Sequence, residues 1–353
     1  MRKFVKKKIR SWEESQNTAI AKKVATIIET LYLIFIFRIR IIQTMLYLAK
    51  LRMNKSDLPL ELHSTYVINF PKLDSHFMNP SVVYDGAKFQ GAARISNGGI
   101  SQFCDYAGRP IQEFRKRSEL LLNGIVVFHL NLMGEVSGLK VIRELSTIPN
   151  FEDPRIFIYR NQKFLVMTNV VSPLGREKGP WSCTVTLENL ESGKSYQLAS
   201  PTARKIEKNW VPIQNDQNLQ LLYSSNPITV VDFDILQERY NLTTTDNFSH
   251  LPLNNRTQVI KTPHPVIPYL RIASRKFANP KVGYTPFHYF EILSATYKPI
   301  RISKPFVFKC IQMEMCQGLT LHGEQVVLTW TEKDRDNYVG TIKLEAIIDF
   351  FDN

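Results

Sequence analysis

The sequence predicts an all-β chain: a five-bladed β-propeller with an N-terminal α-helical extension. Three observations lead there. Residues 11–52 contain neither proline nor glycine. From about residue 60, short β-branched and aromatic runs alternate with polar turns. A polar, proline-bearing theme then recurs five times along the rest of the chain. The expected division is residues 1–55 as extension and 56–353 as propeller.

The extension opens with "MRKFVKKKIR", six basic residues and no acid, which carries about half of the net charge of +13. The stretch "ATIIETLYLIFIFRIRIIQTMLYLAKL" that follows is densely apolar, yet its longest uncharged run is "TLYLIFIF", closed by Arg38 and Arg40. A spanning helix needs about 20 apolar residues, and each arginine near its centre costs roughly 2.5–3.5 kcal/mol. A helix lying in the membrane interface avoids that cost, because long basic side chains reach the headgroups. Lys22, Lys23, Lys50 and Arg52 would meet anionic lipid there. Residues 1–55 are therefore expected on a membrane surface, of the endoplasmic reticulum or Golgi. A cytoplasmic protein with this helix packed on itself or on a partner, and a signal-anchor, are the alternatives. No recognition helix, aromatic RNA-binding motif or zinc-finger spacing accompanies the basic charge, which excludes nucleic acid as the expected partner.

Beyond residue 60, runs such as "PSVVYDG", "GIVVFHLNL", "SCTVTLENL", "ITVVDFDI" and "EQVVLTWTE" read as strands separated by turn dipeptides. Helical periodicity recurs only in "IQEFRKRSELLL". The repeated theme begins at Asn79 ("NPSVVYDG"), Glu152 ("EDPRIFIYRNQKFLVM"), Glu207 ("EKNWVPIQNDQNLQLLYSSNP"), Gly283 ("GYTPFHYFEIL") and Cys316 ("CQGLTLHGEQVVLTWTEKD"). A propeller gathers the starts of its inner strands around one axis, so polar groups far apart in sequence would converge on one site.

Cys104, Cys183, Cys310 and Cys316 have no metal-ligand spacing and are expected as buried thiols, with a disulfide as the alternative. Asp232-Phe233-Asp234 has the spacing of a metal-binding D-x-D element but lies in an alternating strand. No cofactor and no metal are expected. Acceptor triplets for N-glycosylation occur at Asn54, Asn241, Asn247 and Asn255.

The charged clusters carry the chemistry. In "FEDPR" a proline fixes the backbone between an acid pair and an arginine, which otherwise would form a plain salt bridge. In "EKNWVP", Lys208, Asn209 and Trp210 precede another proline, and Trp210 offers a flat face on which a sugar ring can stack or a core can pack. Arg94 stands in the strand-like "GAARIS", and Asp334 and Asp336 in "TEKDRDN".

These motifs, in this order, resemble the five-bladed propeller family of β-1,2-mannoside phosphorylases with their hydrolase and mannosyltransferase relatives. The resemblance covers roughly residues 60–350. It implies inverting glycosyl transfer, of mannosyl above all, as a transferase or a phosphorylase. It implies Asp153 as the proton-transfer group, with a pKa raised by its neighbour Glu152. Arg94, Arg155, Lys208 and Asn209 would hold phosphate or substrate, His288 and Tyr289 would match a phosphate-binding pair, and Trp210 and Asp334 would contact sugar. The implied partner is a glycan with a sugar-phosphate or nucleotide-sugar donor. Phosphorylases of this kind often carry arginine before Gly-Gly-Thr, where the segment Lys281-Val282-Gly283-Tyr284-Thr285-Pro286 departs from the pattern. A hydrolase of the same fold, or a non-catalytic propeller binding glycan or protein, are the alternative readings.

Overall fold

Five sheets, each buried against the next, account for the mixture of alternating and continuous apolar runs in the sequence. The computed structural model describes residues 27, 31, 35, 38, 42, 59–71, 75–96, 122–146, 150–170, 182–202, 207–215, 217–225, 227–244, 253–279, 283–309, 313–333 and 335–352. The first blade is built from β2 (His76–Tyr84), β3 (Phe89–Ser96), β4 (Asn123–Leu130) and β5 (Val136–Ser146), in that order from the axis outward. The second is β6 (Asn150–Tyr159), β7 (Gln162–Val170), β8 (Cys183–Asn189) and β9 (Ser195–Leu198). The third is β10 (Val211–Ile213), β11 (Leu219–Ser225), β12 (Ile228–Asp234) and β13 (Arg239–Thr244).

The fourth blade has an interrupted inner edge. Two short pieces, β14 (Asn254–Asn255) and β15 (Ile260–Lys261), both pair with β16 (Tyr269–Asn279), followed by β17 (Gly283–Leu293) and β18 (Pro299–Ile302). The fifth blade takes β19 (Glu314–His322), β20 (Gln325–Glu332) and β21 (Asp336–Lys343), and its outermost strand is β1 (Ser64–Val67), from the other end of the chain. That pairing, Ser64 opposite Thr341 through Val67 opposite Tyr338, closes the ring. Helix α1 (Leu344–Asp352) then sets Ile347 and Phe350 against Phe290 and Phe306.

Each junction between neighbouring blades has its own apolar cluster. Val83, Ile125, Ile156 and Leu165 fill the first, and Phe157, Leu187, Trp210 and Leu221 the second. Val211, Leu222, Val259 and Leu293 fill the third; Leu270, Phe290, Leu319 and Trp330 the fourth; Val82, Phe128, Val327 and Val339 the fifth. Near the axis the blades touch directly. Gly318 on β19 packs so closely that a Cβ there would lie 1.9 Å from Thr329 Oγ1 and 2.9 Å from the Val82 nitrogen. The Gln258 amide, from the fourth blade, donates to the carbonyls of Val82 (3.3 Å) and Leu319 (2.6 Å), lacing the inner strands of three blades.

The five-bladed propeller is as expected from the sequence; the assignment of its fourth repeat is not. "GYTPFHYFEIL" is β17, third from the axis, and the inner strand of that blade is "NNRTQVIK", starting at Asn254. Its few, interrupted pairings left no strand-like run to recognise. The 1–55 extension lies outside the described residues except for Ile27, Leu31, Phe35, Arg38 and Ile42, each helical. The patch "IQEFRKRSELLL" also lies outside them but for its last residue, Leu122. Among the described residues no helix is long and apolar enough to cross a membrane.

Candidate active site

The inner strands share a local irregularity that explains why polar residues meet at the axis. In β2 the register shifts between Met78 and Ser81, with Asn79 at φ +55°. In β6 it shifts between Glu152 and Arg155, with Asp153 at φ +51°. Asn209, just before β10, sits at φ +62°, and β19 is bulged at Gln317 between Cys316 and Gly318. The break in the fourth inner edge carries Arg256. Left-handed backbone is tolerated best by asparagine and aspartate among residues with a side chain, and a bulge re-aims the residue it displaces. The prolines at 80 and 154 follow two of these positions and donate no hydrogen bond to the ladder. The sequence thus places one polar residue per blade at the same point: Asn79, Asp153, Asn209, Arg256 and Gln317.

Asp153 is the centre of this ring. The Asn79 amide donates to its Oδ1 at 2.7 Å, and the amide of Gln317 lies beside its carboxylate. Burial works against its charge, but the guanidiniums of Arg94 and Arg155 and the two amides outweigh it, holding the carboxyl below the usual aspartate range. This corrects the expectation of a raised pKa. Glu152 does not crowd Asp153; it forms an ion pair at 3.4 Å with Arg94, a buried residue of β3 whose Nε donates to Asn123 Oδ1 at 2.8 Å.

Arg155 is 1% exposed. Its Nε donates to the Arg256 carbonyl at 3.0 Å and its Nη1 to the Asp153 carbonyl at 3.1 Å. Burial pushes its pKa down to about 10, Asp153 counteracting and Arg256 reinforcing the shift. Lys208 is exposed at the rim, where it and Glu152 both act electrostatically on the buried thiol of Cys183. Asn209 is half-buried, and its carbonyl accepts a hydrogen bond from Asn255 Nδ2 at 3.0 Å.

Three further expectations change. Trp210 is 1% exposed and packs edge-on against Tyr223, while its Nε1–H donates to Glu207 Oε2 at 3.1 Å. It is a core residue of the second junction, unavailable to a sugar. His288 and Tyr289 point to opposite faces of β17 and both are fully buried, so they do not act as a pair. His288 stays near the site: it lies opposite Ser274 in register, and Arg256 donates to the Ser274 hydroxyl. Burial and the Arg256 charge push the His288 pKa down to about 3, so its ring is neutral at physiological pH. Asn255, an acceptor triplet in the sequence, is buried with its amide bonded to the Asn209 and Leu222 carbonyls, which removes it from glycosylation in the folded chain. Asn241 is exposed on β13; Asn54 and Asn247 lie outside the described residues.

Asp334 lies outside the described residues as well, while Asp336 pairs with Arg335 at 3.2 Å. Cys183 and Cys316 are free and buried; Cys104 and Cys310 are not among the described residues. Asp232 of the D-x-D spacing, on β12, accepts a hydrogen bond from the Gln220 amide opposite it on β11, and no cluster of metal-ligating side chains exists among the described residues.

No protein-family model and no curated protein matches the sequence. Solved structures do match. A β-1,2-mannobiose phosphorylase from Listeria innocua, in complex with β-1,2-mannobiose, superposes with a TM-score of 0.52 at 10% identity, over 84% of this chain and 96% of that one. The chain shares that enzyme's propeller fold. A glycosyl hydrolase from Bacteroides ovatus superposes with a TM-score of 0.50 at 10% identity, over 77% of this chain and 85% of that one. Both have the fold that the motif resemblance implied.

The residues that sequence reading missed, Asn79 as a partner of Asp153, Arg256 and Gln317, had one available signal. Each sits at the bulge or break of an inner strand, but only those followed by proline stand out in the sequence.

Proposed function

We propose that the chain is a carbohydrate-active enzyme that transfers a glycosyl group, mannosyl in particular, with inversion at the anomeric carbon. One observation carries this: a carboxylate at the axial bulge, fixed by an amide and flanked by two buried guanidiniums. Arg94 and Arg155 suit an anionic leaving group such as the phosphate of a glycosyl donor. Asp153, anionic at rest, suits an acceptor hydroxyl. In the transfer the acceptor oxygen bonds to the anomeric carbon as the bond from that carbon to the phosphate oxygen breaks. The hydroxyl proton passes to Asp153, and phosphate departs with the bonding electrons. A bound phosphoryl group offsets the two arginine charges, which lifts the Asp153 pKa and makes it a better base once the donor is in place. Phosphorolysis is the same path in reverse.

The test is Asp153→Asn, which keeps the shape and tolerates the left-handed backbone. General acid–base groups contribute about 10²–10⁴-fold. Transfer from mannose 1-phosphate or GDP-mannose to mannose or mannobiose should fall by at least that lower figure, with the product's anomeric configuration followed by NMR. Transfer at the wild-type rate by the variant would overturn the assignment.

The proposal extends to a membrane surface. Ile27, Leu31, Phe35 and Ile42 are each more than half exposed, and with Arg38 their spacing puts all five on one helix face. The full chain should float with anionic vesicles and not with neutral ones; failure to float with either would remove this part of the proposal.

A further inference from the structure

On the fifth blade the chain departs from a regular ladder and displaces one neutral side chain. The residue pairs of β19 run from Cys316 with Trp330 to Gly318 with Thr329, so Gln317 has no opposite number on β20. Gly318 makes room for this bulge, since a Cβ there would lie 1.9 Å from Thr329 Oγ1. Neighbouring hydroxyls hold the first blade against the same place. Thr329 donates to the Pro80 carbonyl at 2.6 Å, and Thr331 Oγ1 accepts from the Asn79 backbone nitrogen at 2.7 Å. Gln317 thus stands on fixed inner strands, 1% exposed, with its amide beside the Asp153 carboxylate.

Its hydrogen bonding is unfinished. Neither Nε2 nor Oε1 has a hydrogen bond of good geometry among the described residues. Asn79, whose amide nitrogen is turned to Asp153, likewise leaves its buried Oδ1 idle. Buried amides are normally satisfied, and an apolar side chain of the same shape would fill a core without the unmet atoms. The amide's own chemistry describes the absent partner. An anion offers acceptors alone and would face Oε1 and Asn79 Oδ1 with negative charge; an ammonium offers donors alone and would leave Nε2 unmet. A hydroxyl both donates and accepts, so one hydroxyl or two adjacent ones on an uncharged molecule answer both ends of the amide.

We propose that Gln317 is a specificity-determining residue of the axial site, its amide reading a hydroxyl of the sugar ring held beside Asp153. Oε1 accepts from that hydroxyl, and Nε2 donates to the same oxygen or to its neighbour on the ring. A ring that lacks the hydroxyl leaves the buried amide unmet and is rejected for that reason. The inference rests on the glycosyl-transfer reading and adds to it the neutral group that selects among sugars, separate from the charged groups that would meet a phosphate.

Ligand-observed NMR on the full chain tests it, with mannose and the four analogues that lack the hydroxyl at C2, C3, C4 or C6 as probes. The wild type should bind one analogue, or two neighbouring ones, at least tenfold more weakly than mannose. Gln317→Met, similar in length and apolar, should lose that preference and bind mannose and the same analogue within twofold of each other. Inorganic phosphate should bind the wild type and Gln317→Met within twofold. A preference that survives in Gln317→Met would overturn the proposal, as would phosphate binding that falls tenfold in that variant, which would make the amide an anion contact. Should the variant not fold, the wild-type protein still decides: binding mannose and all four analogues within twofold of one another, or binding none of them, would equally overturn it. The two readings fail separately. Loss of transfer in Asp153→Asn with the preference intact in Gln317→Met removes this contact alone, whereas a discriminating site without any transfer removes the enzymatic reading and keeps the contact.

Discussion

Asn79 offers the sharpest handle on the chemistry, because one side chain both tunes Asp153 and sits in left-handed backbone. Replacing it with glycine removes the 2.7 Å hydrogen bond while the backbone remains relaxed. Replacing it with alanine removes the same bond and adds a left-handed strain of about 1–2 kcal/mol. A hydrogen bond to a charged group is worth about 1.5–3 kcal/mol. Losing it removes one of the contacts that hold the Asp153 carboxyl down, so its pKa rises. In the proposed transfer Asp153 works as the anion, so activity should fall as pH drops through this pKa. The acidic limb of the pH–rate profile should therefore move to higher pH in Asn79→Gly, and by the same amount in Asn79→Ala. Stability separates the two: alanine should unfold about 1–2 kcal/mol more easily than glycine in urea. A limb that stays in place while transfer drops would show that Asp153 is not the titrating group, and equal stability of the variants would refute the backbone part of the reasoning.

Other outcomes follow from the same geometry. Trp210→Ala should cost about 3–5 kcal/mol in denaturant melts, and Trp210→Phe about 1–3 kcal/mol through the Glu207 partner it leaves behind; sugar affinity should be unchanged in the phenylalanine variant. Arg271 and Glu291, both fully buried and paired across β16 and β17, should not tolerate loss of one partner: Glu291→Gln is expected to cost about 3–5 kcal/mol by chemical unfolding. Asp85 is held at about 2, burial opposing its charge and the amides of Lys88 and Ala87, the side chain of Gln90 and Lys163 outweighing it. A depressed carboxylate pKa stabilises above the unfolded value near 3.8, and this contribution is lost as pH falls toward about 2, so Asp85→Asn should flatten the acid side of the stability curve by about 2 kcal/mol.

Much of the fold was legible because blades repeat. Proline after a polar residue marked the inner strands at Asn79 and Asp153, and β-branched runs marked their neighbours. The fourth inner edge was not legible: "NNRTQVIK" pairs in two-residue pieces, so nothing in its alternation announces a strand, and the longer β17 took its place. Within the site, Arg94, Glu152, Asp153 and Arg155 stand near one another. Trp210 could not be assigned from sequence, since stacking platforms and core tryptophans use the same side chain and differ only in burial. The direction of the Asp153 shift was hidden for a related reason. The adjacent residue Glu152 suggested repulsion, but adjacent residues in a bulged strand do not share a face, and Arg94 from another blade stands with it instead.

Gln258 has a consequence for how the ring comes apart. Its amide ties the inner strands of the first, fourth and fifth blades together, and Gly318 keeps two of them nearly in touch. The blade whose inner edge is the most interrupted is thus latched to two others by a single side chain, so loosening that one amide would free three blades together and not the fourth alone.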